Sequence, residues 1–476
     1  MKKKALQTVA ASMVIASLAL TACGSNGNGS DSNQASNGKG TSQQKEASVK
    51  ELRIMAGVVG GKTPEETDLF EQEIERLTGI KADITKPASD YNTKLTTAIS
   101  SGEKYDLLQI SKETMNTFID QGILTPITDF VEGSDVLSDS SVIPSGEWAQ
   151  VKTEDGQIYG VFSKFQGGTM PIVRQDWLDK LGLDTPETLD EFYQVLKAFK
   201  EQDPDGNGKE DTYGLSTAGL YEIQGFMSAA GVKQRYVMED GKRVIPYATE
   251  AAIPVYEWFA KLYKEGIMDP NFATNDTGKM RNLFLTDRVG MVTYWDAWVG
   301  LFNNARLQED PDTAFQAKGI PGPAGPDGEI LLRRGDPDVW VIPVNAEHPE
   351  TAMEFIEWWH TEPGIILGSL GIEGEDYVKK DGQYELTELG KEHGMDHGVP
   401  FWYNDNVKPP FGKLPGVEEA QQIVMEHASL ELTLPNWTDA EKIINNYAIR
   451  AMTGEMPAAE AVAKMQGELK RADLID

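Results

Sequence analysis

The stretch ELRIMAGVVGGKTPEETDLFEQEIERLTGIKADIT, residues 51–85, carries two hydrophobic periods in succession. ELRIMAGV (51–58) reads as a buried strand. A helix then opens with Thr63 as N-cap, Pro64 in the first turn and Glu66 three residues past the cap. At that spacing the Thr hydroxyl and the Glu carboxylate each satisfy a backbone N–H of the other. Phe70, Ile74 and Leu77 fall on one helical face, Gly79 ends the helix, and IKADIT (80–85) is a strand again. SDYNTKLTTAISSG (89–102) continues as helix and YDLLQI (105–110) as a third strand. Strands alternating with helices specify an α/β sheet, in which ligands sit beyond the carboxyl ends of the strands.

The alternation recurs downstream. MPIVRQDWL (170–178) runs from strand into helix, and TLDEFYQVLKAFKEQD (188–203) turns Leu189, Phe192, Leu196 and Phe199 to one side. RVGMVTYW (288–295) and DVWVIPV (338–344) read as strands, and HPETAMEFIEWWHT (348–361) as a helix. The chain beyond its N-terminal region is too long for one core, which predicts two α/β lobes.

The first residues differ in kind. MKKK followed by the uncharged ALQTVAASMVIASLALTA (5–22) has the charged and apolar regions of an export signal, too short for a stable membrane span. LTAC (20–23) resembles the bacterial lipobox, which implies cleavage after residue 22 and acylation of Cys23, a lipid anchor to the membrane. An ordinary signal peptide with an incidental cysteine is the alternative. Cys23 is the only cysteine, so no disulfide framework and no thiol chemistry is expected. Residues 24–47, rich in Gly, Ser and Asn, cannot build a core, and 23–49 reads as a disordered tether. With 75 acidic against 44 basic residues the net charge is −31. That field repels nucleic acid, and an anionic ligand would need a local basic pocket.

Read in order, YNTKLTTAISSGEKYDLLQI (91–110), QGILTPITDF (121–130), WLDKLGLDTPETLDEF (177–192), YKEGIMDPNF (263–272), DRVGMVTYW (287–295), PETAMEFIEWW (349–359) and AMTGEMPAAEAV (451–462) resemble the extracellular solute-binding proteins of ABC sugar importers. GIEGEDY (371–377) and the acidic loop below are similar to the oligosaccharide-binding lipoproteins of Gram-positive bacteria. The resemblance implies an α/β, two-lobed periplasmic-binding-protein type II fold with a hinge and an interlobe cleft. It places lobe one at 50–162 and 319–380, and lobe two at 163–318 and 381–476. It further implies a monomer that captures an oligosaccharide and delivers it to ABC transporter permease subunits at the extracellular face of the membrane. A secreted polysaccharide-degrading glycoside hydrolase or lyase, or a surface adhesin, would be the competing functions. No nucleophile elbow or phosphate loop is present, and no catalytic residue is assigned.

DPDGNGKED (203–211) alternates hard oxygen donors along a turn: Asp203, Asp205, Asn207, the carbonyl of Lys209, and Asp211, with Gly208 at the sharp bend of a calcium loop. Position twelve is Gly214 and the residue after Asp211 is Thr212, so the closing glutamate is missing. An empty Asx-rich turn is the alternative to a structural Ca2+ site. Aromatic rings at strand ends are candidates for stacking on sugar faces: Phe165, Tyr221, Trp295, Trp298 and Trp402, each also open to a core role. The resemblance favours Trp295. Lys112 and Glu113, just past the third strand, are polar cleft candidates. Arg174, Arg333 and Arg334 could hold a uronate carboxylate, or be solvated surface arginines.

Overall fold

A computed structural model of the chain describes residues 50–57, 59–60, 63–153, 155–165, 167–220, 222–393, 404–408, 413–434 and 436–476. Cys23, Tyr221 and Trp402 lie outside the described residues. The opening stretch folds as its pattern dictates. In the helix Pro64–Thr78, Thr63 Oγ1 accepts from Glu66 N–H at 3.2 Å and Glu66 Oε2 accepts from Thr63 N–H at 3.3 Å. Gly79 closes the helix in the left-handed conformation at φ 72°, and Phe70 and Ile74 are fully buried beneath it.

Two sheets result. The first runs, edge to edge, Ile80–Thr85, Lys50–Met55, Leu107–Ser111, Asp338–Val341 and Gly160–Lys164. Its first three strands are parallel, and Asp338–Val341 is antiparallel to both neighbours. The second runs Ala428–Ser429, Leu332–Arg334, Gly168–Arg174, Val289–Trp295 and Tyr213–Ser216, with Ala317–Gly319 also paired to Gly168–Arg174. Each sheet is sandwiched by helices around its own apolar core. One contains Phe70, Leu107, Phe162 and Trp340; the other contains Trp177, Phe199, Phe226, Phe259 and Ile444. These are the two α/β lobes.

The chain passes between the sheets at 165–167 and 335–337, and these two segments run side by side. Gly335 N–H donates to the Gly167 carbonyl at 2.9 Å. The antiparallel pairing of Gly160–Lys164 with Asp338–Val341 on one side resumes as Arg334 opposite Gly168 on the other. A glycine is required at 167, because a Cβ there would fall 2.2 Å from Asp296 Oδ1.

Two boundaries differ from expectation. The stretch 319–334, placed in lobe one by resemblance, belongs with lobe two: Leu332–Arg334 pairs with Gly168–Arg174 and Ile320 is buried in the second core. The break is set by Gly335-Asp336-Pro337, which interrupts the strand run. Likewise the chain is still on lobe one at 404–405, past the boundary expected at 381. Asn404 Nδ2 donates to the His360 carbonyl at 2.8 Å, and Asp405 N–H to the Ser141 carbonyl at 2.8 Å. By 414–417 the chain is on lobe two, where Leu414 and Val417 close on Gly300. No helix among the described residues is long and apolar enough to cross a membrane.

Candidate ligand-binding site at the hinge

The carboxyl ends of Leu107–Ser111 and Val289–Trp295 both reach the crossing segments, and the candidate residues sort by how they meet them. Trp295 ends its strand opposite Thr169 and is half-buried, whereas the six residues before it are buried. Trp298, the second residue of the helix Ala297–Glu309, has its faces occupied. Tyr294 and Phe302 lie 5.3 and 5.5 Å from it, and the Arg281 guanidinium lies 4.0 Å above the ring. Phe165 is 3% exposed and stacked on Phe162 at 4.7 Å, inside lobe one. Of the three described aromatic candidates, Trp295 alone combines a strand-end position with partial exposure.

Lys112 and Glu113 open the helix Lys112–Asp120, which Ser111 caps by accepting from Thr114 N–H at 3.2 Å. Lys112 is set on the second crossing segment, its N–H donating to the Pro337 carbonyl at 3.3 Å. Burial lowers its pKa, with Arg235 acting in the same direction and Asp336 opposing. Glu113 is exposed.

The arginine candidates are committed elsewhere. Arg174 lies at the far end of its strand from the hinge, between Trp177 and Phe315, with salt bridges to Asp176 at 2.7 Å and Asp287 at 2.5 Å. Arg333 Nη1 donates to both carboxylate oxygens of Glu222, at 2.9 and 3.1 Å, with Glu431 3.9 Å away. Arg334 spans the lobes, its Nη1 2.7 Å from Glu147 of lobe one.

Asp296 was missed by sequence reading. Its N–H donates to the Gly168 carbonyl at 3.0 Å, and its Oδ1 accepts from Ala297 N–H at 2.7 Å. Its Oδ2 is buried without a hydrogen-bond partner. Burial pushes its pKa up to about 6, against the backbone donors and the more distant Lys413 and Arg334. The available signal was YWDAW: an Asp between a strand and a helical run is an N-cap. Gln109 was also missed. Buried in the middle of its strand, it accepts from Gly57 and Val59 N–H through Oε1 and donates to Ser163 Oγ at 3.2 Å.

The loop 203–211 stands apart from the hinge. Asp203, Gly206 and Gly208 take positive φ, and Asp203 accepts from the N–H groups of Asn207 and Gly208. The Asp203 and Asp205 carboxyl groups lie against each other. Burial and this neighbour raise the pKa of Asp205; that of Asp203, which slight desolvation would raise, is drawn down by Asp205 and the loop N–H groups. Two like charges held together are what a dication relieves. The remaining donors are turned to other partners. Asn207 presents its amide NH2 to Asp205 and Asp211, the Lys209 N–H donates to Asn207 Oδ1, and Arg288 holds Asp211 at 2.6 Å. Among the described residues no group of three or more His, Cys, Asp or Glu side chains converges as a metal site. Gly214, where the closing glutamate would stand, is required by packing, since a Cβ there would lie 2.3 Å from the Leu196 carbonyl oxygen.

Residues 63–364 match the family of bacterial extracellular solute-binding proteins. The chain is 28% identical to Lipoprotein LipO of Bacillus subtilis over 365 residues, covering 73% of this chain and 72% of LipO. It is 24% identical over 403 residues to the fructooligosaccharide ABC transporter substrate-binding protein FusA of Streptococcus pneumoniae, covering 79% of this chain and 72% of FusA. In fold it is similar to the alginate-binding protein AlgQ2 solved without calcium ion, with a TM-score of 0.66 at 20% identity, covering 90% of this chain and 95% of that one.

Proposed function

We propose, from the premise that the chain belongs to the bacterial extracellular solute-binding proteins, that it captures an oligosaccharide between its lobes and delivers it to the permease subunits of an ABC importer. The family consists of binding proteins and not enzymes, so the polysaccharide-degrading alternative falls away. The observation that carries the reading is the paired crossing at 165–167 and 335–337, which brings Trp295, Asp296 and Lys112 to one junction between two separately cored lobes. Two rigid bodies joined by short adjacent segments can close on a ligand. A half-buried tryptophan there offers a flat apolar face to sugar C–H groups. The described binding group is Lys112, Trp295 and Asp296; Tyr221 and Trp402 remain candidates from the sequence. FusA, a fructooligosaccharide-binding relative, supports the ligand class and the transporter partner.

The protein works as a monomer tethered through acylated Cys23 to the outer face of a Gram-positive membrane. LTAC and the coreless 24–47 support the anchor, as does the lipoprotein relative. Cys23→Ala should release the protein from membranes, and a variant that still fractionates with them would refute it. The loop 203–211 takes one structural Ca2+ through Asp203, Asp205, Asn207, the Lys209 carbonyl and Asp211, with Asp211 released from Arg288. The crowded Asp203–Asp205 pair supports this. Calorimetric titration of a neutral and acidic oligosaccharide panel tests the main reading. Saturable binding without cleavage of the glycan is expected, and new reducing ends or no binding at all would overturn it.

A further inference from the structure

Most charged groups near the hinge are matched. Arg333 has Glu222 and Glu431, and Arg334 has Glu147 across the lobes. Lys112 is the exception, and Arg235 lies beside it on the same segment. Lys112 comes from lobe one and sits on Pro337. Arg235 comes from lobe two and sits on the preceding residue, with Nη1 2.6 Å from Asp336 Oδ2. Two cations from opposite lobes thus meet on adjacent residues of one crossing segment, with one carboxylate between them. Arg235 is held rigidly: the same Nη1 also donates to Thr433 Oγ1, and the guanidinium lies 5.6 Å from the Trp437 ring. Its Nε is buried with no hydrogen-bond partner. Lys112 makes no ion pair among the described residues, and it is partly desolvated.

A desolvated ammonium is unfavourable without an anion in contact, and Asp336, which Arg235 engages, offsets the loss of water around Lys112 only in part. In a chain of net charge −31 this under-compensated cation stands against the overall field. Glu113, the next residue, is exposed. Lys233 donates to Ser429 Oγ at 2.8 Å, and Glu431, the further acid near Arg235, is buried and also faces Arg333.

We propose that Lys112 and Arg235 form a cross-lobe subsite for one anionic group on the ligand, a carboxylate of a uronic acid residue or a sulfate on a sugar. The inference rests on the oligosaccharide reading and narrows it. The group enters with the lobes apart, accepts from Lys112 Nζ and the Arg235 guanidinium, and compensates the desolvated ammonium as the lobes close. Anionic recognition therefore centres on Lys112, which has no ion pair among the described residues, and not on the arginines singled out in the sequence, whose partners are their own carboxylates.

The test uses the full mature protein and matched trisaccharides: galacturonate and mannuronate with their methyl esters, and a sulfated galactose trisaccharide with its desulfated form. Calorimetry should find one acidic form bound at least about tenfold more tightly than its neutral counterpart, with the preference shrinking at high salt. Lys112→Met should bring the ratio to about one by weakening the acidic form more than the neutral form, and Lys112→Arg should retain most of the preference. Which acid binds distinguishes carboxylate from sulfate. Arg235→Met strands Asp336 and can fail to fold, so Lys112 carries the test. Neutral glycans bound as well as or better than acidic ones, or an unchanged ratio in Lys112→Met, would overturn the subsite and leave the oligosaccharide reading standing. Binding of no glycan at all would overturn both.

Discussion

The loop 203–211 and the hinge are built from the same kinds of side chain in opposite ways. The loop draws its candidate donors from nine consecutive residues, turned by Gly206 and Gly208, and a cation would relieve its crowded carboxyls. The hinge gathers Lys112, Asp296, Arg334 and Glu147 from across the chain, and it leaves a carboxylate oxygen and an arginine Nε buried without partners. Unmet polar groups of this kind cost stability in the ligand-free protein and have value only when something binds. On the proposed reading the loop supports a lobe and the hinge is held ready for a ligand.

That contrast can be broken in several places. The largest effect is expected at Asp296. Its pKa is near 3.8 unfolded and about 6 folded. A raised carboxyl destabilises the fold above pH 6, and stability rises as pH falls from 6 toward 4. Asp296→Asn should raise stability at pH 7.5 by up to about 3 kcal/mol and flatten that slope, measured by urea melts across pH. A melt with unchanged pH dependence would show that Asp296 titrates normally. Next comes chelation. If calcium binds only the native loop, its removal from a hundredfold excess over Kd costs about 2.7 kcal/mol, lowering Tm with little change in ligand affinity. Asp205→Ala should melt identically with and without chelator, and a Tm of the parent chain insensitive to chelator would remove calcium from the loop.

Trp295→Ala should weaken oligosaccharide binding at least about tenfold, or ~1.4 kcal/mol, and leave Tm nearly unchanged. Equal affinity in the folded variant would move the stacking platform elsewhere. Glu147→Gln removes the acid that Arg334 reaches across the lobes at 2.7 Å. With the acid of this cross-lobe pair gone, the free protein should sample wider openings and bind a few-fold more slowly, read by stopped-flow tryptophan fluorescence. Identical association rates would assign that ion pair to the surface alone.

What was legible follows the same division. The helix Pro64–Thr78 could be read residue by residue because its cap, stripe and stop are local. The strands on either side could be read for the same reason, as could the turn-forming run of 203–211, whose Gly206 and Gly208 take positive φ. That Trp295 ends a strand was equally local. The sequence does not reveal that Phe165 turns inward onto Phe162, or that Tyr294, Phe302 and Arg281 enclose Trp298. Those fates depend on neighbours distant in sequence. The same holds for Arg174, Arg333 and Arg334, exposed by residue type and paired by tertiary contact. The second crossing was misplaced at 319, although Gly335-Asp336-Pro337 carries the breaker signal. Ala317–Gly319 and Leu332–Arg334 are short strands, each pairing with Gly168–Arg174, which no periodicity reports.

The central claim is that ligand is held between the lobes at the crossing segments, and a crystal structure of the mature protein with its tightest-binding oligosaccharide addresses it most directly. The expected complex has a sugar ring stacked on Trp295, polar contacts from both lobes, and a hydroxyl donating to Asp296 Oδ2. A sugar bound to the outer surface of one lobe, with Trp295 and Asp296 untouched, would contradict it.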